Sequence, residues 1–248
     1  MATPTTPHPV LTRYYRRHDE REPFVTALFD GAARSYDRVC AVMSLGSGRW
    51  YRRFALRRAG LRPGMRVLDV ATGTGLVARA AAGILGDGRA VVGVDPSAGM
   101  LLEARRALPG PLVRGRAEGL PFRDGAFDMV TMGYAVRHVA GLEPAFAEFR
   151  RVLRPGGRLL ILEISRAPSA ARRWAVRVYF TRILPVLVSA TTRNAHARVL
   201  TRYYWDTIAS CVAPEVILAA LSHSGFTGVE RRVFGGMVSE YLAVKPGA

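Results

Sequence analysis

Lysine is almost missing from this chain of 248 residues, because Lys245 is the only lysine among 36 basic residues and all the others are arginine. Acidic residues are also few, so that 19 Asp and Glu leave a formal net charge of +17. Phosphate backbones reward dense positive charge. The arginine skew, however, resembles a coding bias, and basic residues do not alternate with aromatic ones as on single-strand platforms. Nucleic acid is therefore the less favoured partner, and an anionic membrane surface better explains part of the charge.

Cysteine is scarce, and long apolar runs are missing. Cys40 and Cys211 have no neighbours at metal-ligand or redox spacing, so we expect no disulfide framework, no metal site and a reducing, cytoplasmic setting. No stretch reaches the roughly 18 to 20 apolar residues of a membrane span. Residues 1–23 are rich in proline, threonine and charge and lack the apolar core of a secretory signal. We expect them to form a flexible tail.

Short apolar segments alternate with helical patterns from residue 66 onward. The periodicity predicts five strands, near Arg66–Val70, Ala90–Val94, Pro111–Arg114, Phe127–Met132 and Arg158–Glu163. It predicts helices between them, from Leu76, over Ser97–Ala107 and over Glu143–Leu153. This order is typical of an α/β fold in which helices cover both faces of a parallel sheet. We expect one domain over 24–248, with an N-terminal helical cap at 24–61 and a helical insertion or lid at 165–212.

The first strand ends in an acid and a glycine-rich turn, Asp69-Val70-Ala71-Thr72-Gly73-Thr74-Gly75. Gly73 and Gly75 let the backbone bend sharply and approach a ligand closely, because they have no Cβ. The helix that follows has free N–H groups facing the same cleft. Asp95 closes the next apolar run, where its carboxylate can accept hydrogen bonds from both hydroxyls of a ribose. The combination predicts a nucleotide-type cofactor.

The spacing of this turn differs from the G-x-G-x-x-G of dinucleotide dehydrogenases, since an acid leads it and the third glycine is missing. It resembles motif I of the class I S-adenosylmethionine-dependent methyltransferases, except that Ala71 replaces the usual first glycine. A narrower likeness, to the ubiquinone/menaquinone biosynthesis C-methyltransferases, rests on several strings in the same order. They are Phe29-Asp30-x-x-Ala33-x-x-Tyr36-Asp37, Met43-Ser44-Leu45-Gly46, Arg49-x-Tyr51-x-Arg53-Phe54, Ala117-Glu118-x-Leu120-Pro121-Phe122, Arg137 and Arg151-Val152-Leu153-Arg154-Pro155-Gly156-Gly157. The resemblance implies a Rossmann-like fold with a mostly parallel seven-stranded sheet.

The resemblance also implies where S-adenosylmethionine binds. The cofactor positions are Asp69, Gly73, Thr74, Gly75, Asp95, Met100, Arg116, Ala117 and Gly133. Asp95 would hold the ribose, and Arg116 and Ala117 would lie beside the adenine. Met100 would cover one adenine face, although a methionine at that spacing also suits plain core packing. Gly133 stands where the family often has serine. The missing hydroxyl should weaken one contact with the cofactor by about 0.5 to 1.5 kcal/mol.

The catalytic candidates are Arg137 and His138, just after the fourth predicted strand. Arg137 matches the family's arginine and, with a pKa above about 12, would stabilise an oxyanion or order a water rather than act as the base. The alternative is a structural arginine that pairs with an acid or a loop carbonyl. His138 replaces the family's asparagine and titrates near neutrality, so it is either a proton acceptor or a hydrogen-bonded loop residue. The resemblance places Tyr36 and Tyr203 at the substrate.

The acceptor implied by the resemblance is a lipophilic small molecule, the ring carbon of a prenylated quinol. Residues 166–190 mix Arg166, Arg172, Arg173, Arg177 and Arg182 with aromatic and aliphatic residues, which suits a helix at a membrane interface. A lid or a homodimer contact fits equally well, so the expected location is cytoplasmic or peripheral on the inner membrane face. Two other functions stay open: methylation of another aromatic or lipid acceptor, and a non-catalytic partner in quinone biosynthesis.

Overall fold

The computed structural model describes residues 5–165, 169–192 and 194–247, so Arg166 lies outside the described residues. Within them, one sheet contains β1 (Val67–Val70), β2 (Val91–Asp95), β3 (Leu112–Arg114), β4 (Phe127–Gly133), β5 (Leu153–Ile164), β6 (Thr227–Phe234) and β7 (Val238–Val244). The helices are α1 (His18–Met43), α2 (Gly48–Arg58), α3 (Leu76–Leu85), α4 (Ala98–Arg105), α5 (Leu142–Val152), α6 (Ala170–Val178), α7 (Leu184–Thr192), α8 (Ala195–Ser210) and α9 (Pro214–His223).

The strands lie in the order β3-β2-β1-β4-β5-β7-β6. The first five are parallel, and β7 runs antiparallel between β5 and β6. The predicted α/β fold is confirmed. The direction of winding reverses between β1 and β4, which is where open sheets of this kind bind ligands, at the carboxyl ends of their strands.

The central strands are apolar because helices bury both of their faces. Leu68 and Val70 of β1 pack on one side with α5 and α9, while Val67 packs on the other with α2 and α3. β5 begins at Leu153 rather than at the predicted Arg158, because Leu153 pairs with Phe127 before the register shifts. These contacts fix the carboxyl ends of β1, β2 and β4 side by side.

A third apolar cluster forms a cap over this end of the sheet. It joins Leu28 and Val39 of α1 to Leu184 of α7 and Leu200 of α8. The segment between β5 and α9 contains α6, α7 and α8, with a π-helical turn at Tyr179–Ile183 just before Pro185. The N-terminal cap and the insertion are one packed unit.

The expectation of a flexible tail over residues 1–23 is corrected for the part from residue 5 onward. α1 begins at His18, and His8, Tyr15 and Arg21 are buried. Thr5 donates two hydrogen bonds to the Glu143 carboxylate, from its amide at 2.8 Å and from its hydroxyl at 2.6 Å. Tyr15 packs against the cap, an apolar contact that the polar composition of this segment concealed.

Among the described residues, no single helix has both the length and the apolar character needed to cross a membrane. The consecutive helices α8 and α9 meet that requirement jointly, by length and composition only, with a bend of 74° between them.

Candidate active site

The turn after β1 adopts the left-handed backbone conformations that its glycines permit. Gly73 has φ +57° and Gly75 has φ +84°, and Gly75 is the N-cap residue that directly precedes α3. Ala71 has φ +53°, a region that side chains with a Cβ rarely enter. Related turns carry a glycine at this position because glycine adopts this backbone conformation without strain. Ala71 adopts it with strain.

Asp69 supports this turn through hydrogen bonds. Its two carboxylate oxygens accept hydrogen bonds from the hydroxyls of Thr72, at 2.7 Å, and Thr131, at 2.6 Å. Burial raises the pKa of Asp69 to about 6, although both hydrogen bonds act in the opposite direction. The predicted cofactor residue Asp69 is therefore mainly a support for the turn.

Asp95 lies at the carboxyl end of β2, beside the turn. Its Oδ2 accepts from the Gly73 amide at 2.8 Å, and its Oδ1 accepts from the Ser97 amide at 2.9 Å. Each oxygen keeps a further lone pair, so the carboxylate can still accept two hydroxyl donors. Burial raises the pKa of Asp95 to about 6.

Two acids of α1 hold the loops of the site. Asp30 Oδ1 accepts from the Ser97 hydroxyl at 2.5 Å and from the Gly99 amide at 2.8 Å, at the start of α4. Asp37 accepts from the Thr74 hydroxyl and from Arg79, both at 2.5 Å. The predicted residue Thr74 thus uses its hydroxyl within the protein. Helix α1 fastens both loops that flank Asp95.

A cavity of about 380 Å³, here called the loop cavity, opens beside the loop after β3. Arg116, Ala117 and His138 line it, together with the first turns of α1. Arg116 bridges to Glu22 of α1 at 2.6 Å, across the side of this cavity. The loop cavity therefore contains the two residues that were predicted to lie beside an adenine ring.

A second, narrower space of about 40 Å³, here called the turn cavity, lies over the glycine turn. Tyr36, Asp69, Gly73, Gly133 and Arg137 all line it. The loop and turn cavities meet at Ala71, which lines both. Most of the predicted site residues are thus brought together along one cleft.

Gly133 has a packing reason to lack a side chain. A Cβ at this position would come within 2.5 Å of Val77 Cγ2 in the first turn of α3. Gly133 and Val77 fit each other, so the serine expected from the resemblance would require a smaller partner.

Met100 and Tyr203 do not line any of the cavities described here. Met100 is fully packed at the start of α4, so the core-packing alternative describes its position. Tyr203 is buried in the cap and stacks on His138, with 5.5 Å between ring centroids. Tyr203 therefore lies behind a cavity-lining residue and does not face the cavity itself. Tyr36 lines the turn cavity and accepts a hydrogen bond from the Tyr204 hydroxyl at 3.0 Å.

Arg137 is 2% exposed and forms a buried ion pair with Glu163 at the end of β5. Its Nη1 also donates to the Tyr134 carbonyl at 2.8 Å, and its Nε donates to Thr207 at 3.2 Å. Arg137 therefore has both partners that were expected of a purely structural arginine, an acid and a loop carbonyl. Nη2 is the remaining nitrogen for a ligand in the turn cavity, so any role in chemistry would pass through this atom.

His138 is a poor base in this environment. Burial and the neighbouring Arg137 and Arg21 lower its pKa well below the usual value, so its titration near neutrality, which the sequence predicted, is corrected. Neither ring nitrogen has a hydrogen-bond partner among the described residues. His138 is thus a neutral ring at the wall of the loop cavity, and its catalytic role stays a prediction.

Residues 16–245 match the model of the ubiE/COQ5 methyltransferase family. The chain belongs to this family. It is 37% identical over 224 residues to the demethylmenaquinone methyltransferase of Mycobacterium tuberculosis strain H37Rv, covering 90% of this chain and 93% of that protein. It is 38% identical over 223 residues to the demethylmenaquinone methyltransferase of Beutenbergia cavernae, and this match covers 89% of this chain and 90% of that protein.

Solved structures of methyltransferases share the fold. An S-adenosylmethionine-dependent methyltransferase of Thermotoga maritima superposes with a TM-score of 0.62 at 19% identity, over 88% of this chain and 98% of that one. Phosphoethanolamine N-methyltransferase 2 of Haemonchus contortus, in complex with S-adenosylmethionine, superposes with a TM-score of 0.56 at 20% identity. This match covers 79% of this chain and 53% of that one.

The protein is an S-adenosylmethionine-dependent methyltransferase, and its cleft fits that cofactor. Asp95 lines none of these cavities but lies between Gly73 and Pro96, which do, and its two free acceptor sites would suit the ribose hydroxyls that the sequence predicted for it. Arg116 and Ala117 line a cavity large enough for an adenosine. A Cβ on Gly73 would meet no atom closer than 4.0 Å, so this face of the turn is open. When bound, the cofactor supplies an electrophilic methyl group.

Sequence reasoning missed several residues of this methyltransferase site. Asp30 and Asp37 belong to the first string of the resemblance, and their spacing of two helical turns, which places them on one face of α1, is the signal that could have indicated their shared role. Glu163 stands far from Arg137 in the sequence, so no spacing indicated the ion pair. Arg52, which lines the turn cavity, was also overlooked.

Proposed function

We propose that this methyltransferase transfers a methyl group to a ring carbon of a prenylated quinol, of the demethylmenaquinol or polyprenyl-methoxy-benzoquinol type. The relatives from Mycobacterium tuberculosis and Beutenbergia cavernae are demethylmenaquinone methyltransferases, which supports a demethylated menaquinone as the acceptor. Identity at this level runs over most of the chain, so the acceptor-facing cap is included in the likeness.

The observation that carries this proposal is a third space, here called the apolar cavity, of about 480 Å³. It lies between α2, α6 and the β6–β7 hairpin, and Trp50, Val176, Tyr179, Phe180 and Phe234 are among its lining residues. Such a surface suits a long aliphatic group, because burial of its CH₂ units contributes roughly 0.8 kcal/mol each.

The apolar cavity is continuous with the place where the methyl group would be transferred. Cys40, Met43, Arg52 and Tyr134 line both this cavity and the turn cavity. A quinol ring at the junction of these two cavities could therefore place its prenyl tail in the apolar cavity. The outer end carries the exposed rings of Trp50 and Phe54, which stack with 5.4 Å between centroids.

The chemistry requires a ring carbon to become nucleophilic. A quinol that loses a phenolic proton places negative charge on its ring carbon, which can attack the methyl group in line. Burial raises the pKa values of Tyr36 and Tyr204, so both hydroxyls stay protonated. Tyr204 donates to the Tyr36 oxygen, which leaves the Tyr36 hydroxyl to donate to a phenolate oxygen. Alignment of two partners can lower a barrier by as much as roughly 7 to 11 kcal/mol.

We also propose contact with the inner membrane surface through α6. None of the residues of α6 is buried, and Trp174 is 68% exposed beside Arg172 and Arg177. Arginines at headgroup level with an aromatic ring below them are typical of interfacial helices. The same exposed face would serve a homodimer, which stays a prediction.

The function is tested by mass spectrometry of lipids extracted from a bacterium that lacks quinone methylation and expresses this chain. We expect the demethylated menaquinone pool to be converted to the methylated form. An unchanged pool, with soluble protein present, would remove the quinol proposal and favour another aromatic or lipid acceptor. A chain that binds no cofactor and gives no turnover would favour a non-catalytic partner.

The tail position is tested with purified protein and two acceptors, a long-tailed quinol and its tail-less analogue. We expect Val176→Trp, which fills the apolar cavity, to lower kcat/KM for the long-tailed acceptor at least tenfold and to spare the analogue. Ala171→Trp, on the exposed part of the same helix, is the matched control. Equal losses for both acceptors would contradict the assignment.

A further inference from the structure

Arg52 of α2 is a buried cation that forms no ion pair with any acid of the described residues. Its residue exposure is 7%, and its Nε is buried without a hydrogen-bond acceptor among the described residues. No carboxylate of the described chain lies within 4.0 Å of it. Within the described residues, its guanidinium carbon lies 5.6 Å from the centroid of the Tyr134 ring, a cation–π contact.

The other buried arginines of the described chain are satisfied. Arg137 pairs with Glu163, and Arg21 donates from Nη2 to the carbonyls of Arg137, at 2.9 Å, and Val139, at 3.0 Å. An ionised group removed from water costs several kcal/mol unless charge or hydrogen bonds compensate it. Arg52 is therefore the exception that requires a reason.

The position of Arg52 points to a ligand. It lines both the turn cavity and the apolar cavity, at the junction between them. Its neighbour Tyr134 has φ +60°, a strained conformation of the kind that functional sites retain. A guanidinium at this junction faces the space in which methyl donor and acceptor would meet.

The nearby acid does not neutralise it. The charge of Arg52 helps to lower the pKa of Asp69, but this effect is smaller than those of burial and of the hydrogen bonds to that carboxyl. Both Asp69 oxygens are already engaged by Thr72 and Thr131. No acid among the described residues uses the hydrogen-bonding capacity of the Arg52 guanidinium, which leaves it for a ligand.

We infer that Arg52 forms an anion-binding subsite between the turn cavity and the apolar cavity, for a carboxylate or phenolate oxygen. Two ligands could supply that oxygen: the amino-acid carboxylate of the cofactor, or the ionised hydroxyl of the acceptor. The first source depends only on the cofactor of this family, whereas the second rests on the proposed function. Arg52 would hold either oxygen by charge-assisted hydrogen bonds.

Calorimetry separates the two sources without turnover. The probes are S-adenosylhomocysteine and 5′-methylthioadenosine, which keeps the adenosine and lacks the amino-acid group. If Arg52 binds the cofactor carboxylate, Arg52→Gln should weaken S-adenosylhomocysteine binding roughly 10- to 100-fold and leave 5′-methylthioadenosine unchanged. Arg52→Lys should restore part of the affinity. Equal losses for both probes would indicate general damage and overturn the inference.

If Arg52 binds the acceptor oxygen, calorimetry should show no change for either probe. Arg52→Gln should then lower kcat roughly 10- to 100-fold with the quinol acceptor, again with partial rescue by Arg52→Lys. Unchanged affinity together with unchanged turnover would overturn the inference. If the wild-type protein methylates no quinol, the proposed function is contradicted. The subsite would still be supported by a loss of affinity for S-adenosylhomocysteine that 5′-methylthioadenosine does not show.

Thermal unfolding of the ligand-free protein gives an independent readout. Because an unpartnered buried charge is unfavourable, Arg52→Met should raise Tm by about 2 to 4 °C while it weakens binding or turnover. Arg49→Met removes the same charge from an exposed position of α2 and should change neither. A lower Tm for Arg52→Met would show a structural role and contradict the subsite.

Discussion

Individual side chains of the glycine turn and its supports determine what the cleft can bind. The turn combines a strained Ala71, two acids whose pKa values are raised by burial, and an arginine that is already paired. Each of these residues has a measurable consequence for stability or for cofactor affinity.

Ala71→Gly should stabilise the protein. A left-handed conformation costs a residue with a Cβ roughly 1 to 2 kcal/mol, and the added flexibility of glycine in the unfolded chain offsets part of the gain. We expect the free energy of unfolding in urea to rise by about 0.5 to 1 kcal/mol. Ala82→Gly, inside α3, is the control and should lower it by about the same amount. A decrease for both variants would refute the strain at residue 71.

Cofactor affinity should fall as the pH drops through about 6. The pKa of Asp95 is raised to about 6 in the folded chain, so its carboxylate is protonated below that pH and loses acceptor capacity for a ribose. The stability of the fold changes with pH in the opposite direction. Because the pKa of Asp95 is raised in the folded chain, its contribution to the free energy of unfolding is largest at low pH and is lost as the pH rises through about 6.

Calorimetry with S-adenosylhomocysteine measures this effect between about pH 7.5 and about pH 5. We expect the dissociation constant to increase by up to roughly tenfold per pH unit below about 6. Asp95→Asn should bind weakly and with a flatter pH profile. A wild-type affinity that is constant across this range would contradict the assignment of Asp95 to the ribose.

Arg137 should have a structural effect that is separable from chemistry. Arg137→Gln leaves the Glu163 carboxylate buried without its partner, and we expect a loss of about 3 to 5 kcal/mol in the free energy of unfolding. The double variant Arg137→Gln/Glu163→Gln should recover most of that loss. If the stable double variant also retains turnover, Arg137 has no direct part in the reaction.

At the level of helices and strands, the first five strands, their parallel arrangement and the place of the glycine turn could be predicted from the sequence. β1, β2 and β4 are buried on both faces, so their composition is necessarily apolar, and the turns between them need glycine. These signals are local, and they survive in a single sequence.

The cap and the finer parts of the site could not be predicted in the same way. Tyr15 is buried only because the cap packs over it, and Arg137 meets Glu163 only because β4 and β5 are neighbours in the sheet. The lowered pKa of His138 follows from Arg137 and Arg21, which come from different segments. Such properties arise from tertiary contacts that have no periodic pattern.

Helix α1 is predicted to couple the cap to the cofactor site. Asp30→Ala removes the acceptor for the Ser97 hydroxyl and for the Gly99 amide, so the loop that holds Asp95 loses its support. We expect a loss of about 1 to 2 kcal/mol in stability and weaker S-adenosylhomocysteine binding. Arg38→Ala, an exposed position of the same helix, should change neither quantity. Unaltered cofactor affinity in Asp30→Ala would separate α1 from the site.

Over the entire chain, the net charge of +17 and the exposed α6 suggest how a lipophilic acceptor could be reached. The mouth of the apolar cavity and α6 share Val176 and Ala175 as lining residues, so a bilayer at α6 would lie next to the proposed tail site. An acceptor could then enter without passing through water.

Co-sedimentation with lipid vesicles tests this geometry. We expect binding to vesicles that contain an anionic lipid, weaker binding at higher salt, and little binding to neutral vesicles. Trp174→Ser/Arg177→Ser should reduce the affinity at least fivefold, since each arginine near the surface contributes about 1 kcal/mol. Turnover of a tail-less quinol should be unchanged in this variant. Equal binding to neutral and anionic vesicles would refute the role of the charge.

The most direct measurement is a reaction of the purified protein with demethylmenaquinol and S-adenosylmethionine labelled with deuterium in its methyl group. Fragmentation of the product by mass spectrometry locates the label. The account predicts one labelled methyl group on a carbon of the quinone ring. A label on oxygen or nitrogen, or no transfer by a protein that binds S-adenosylhomocysteine, would contradict it.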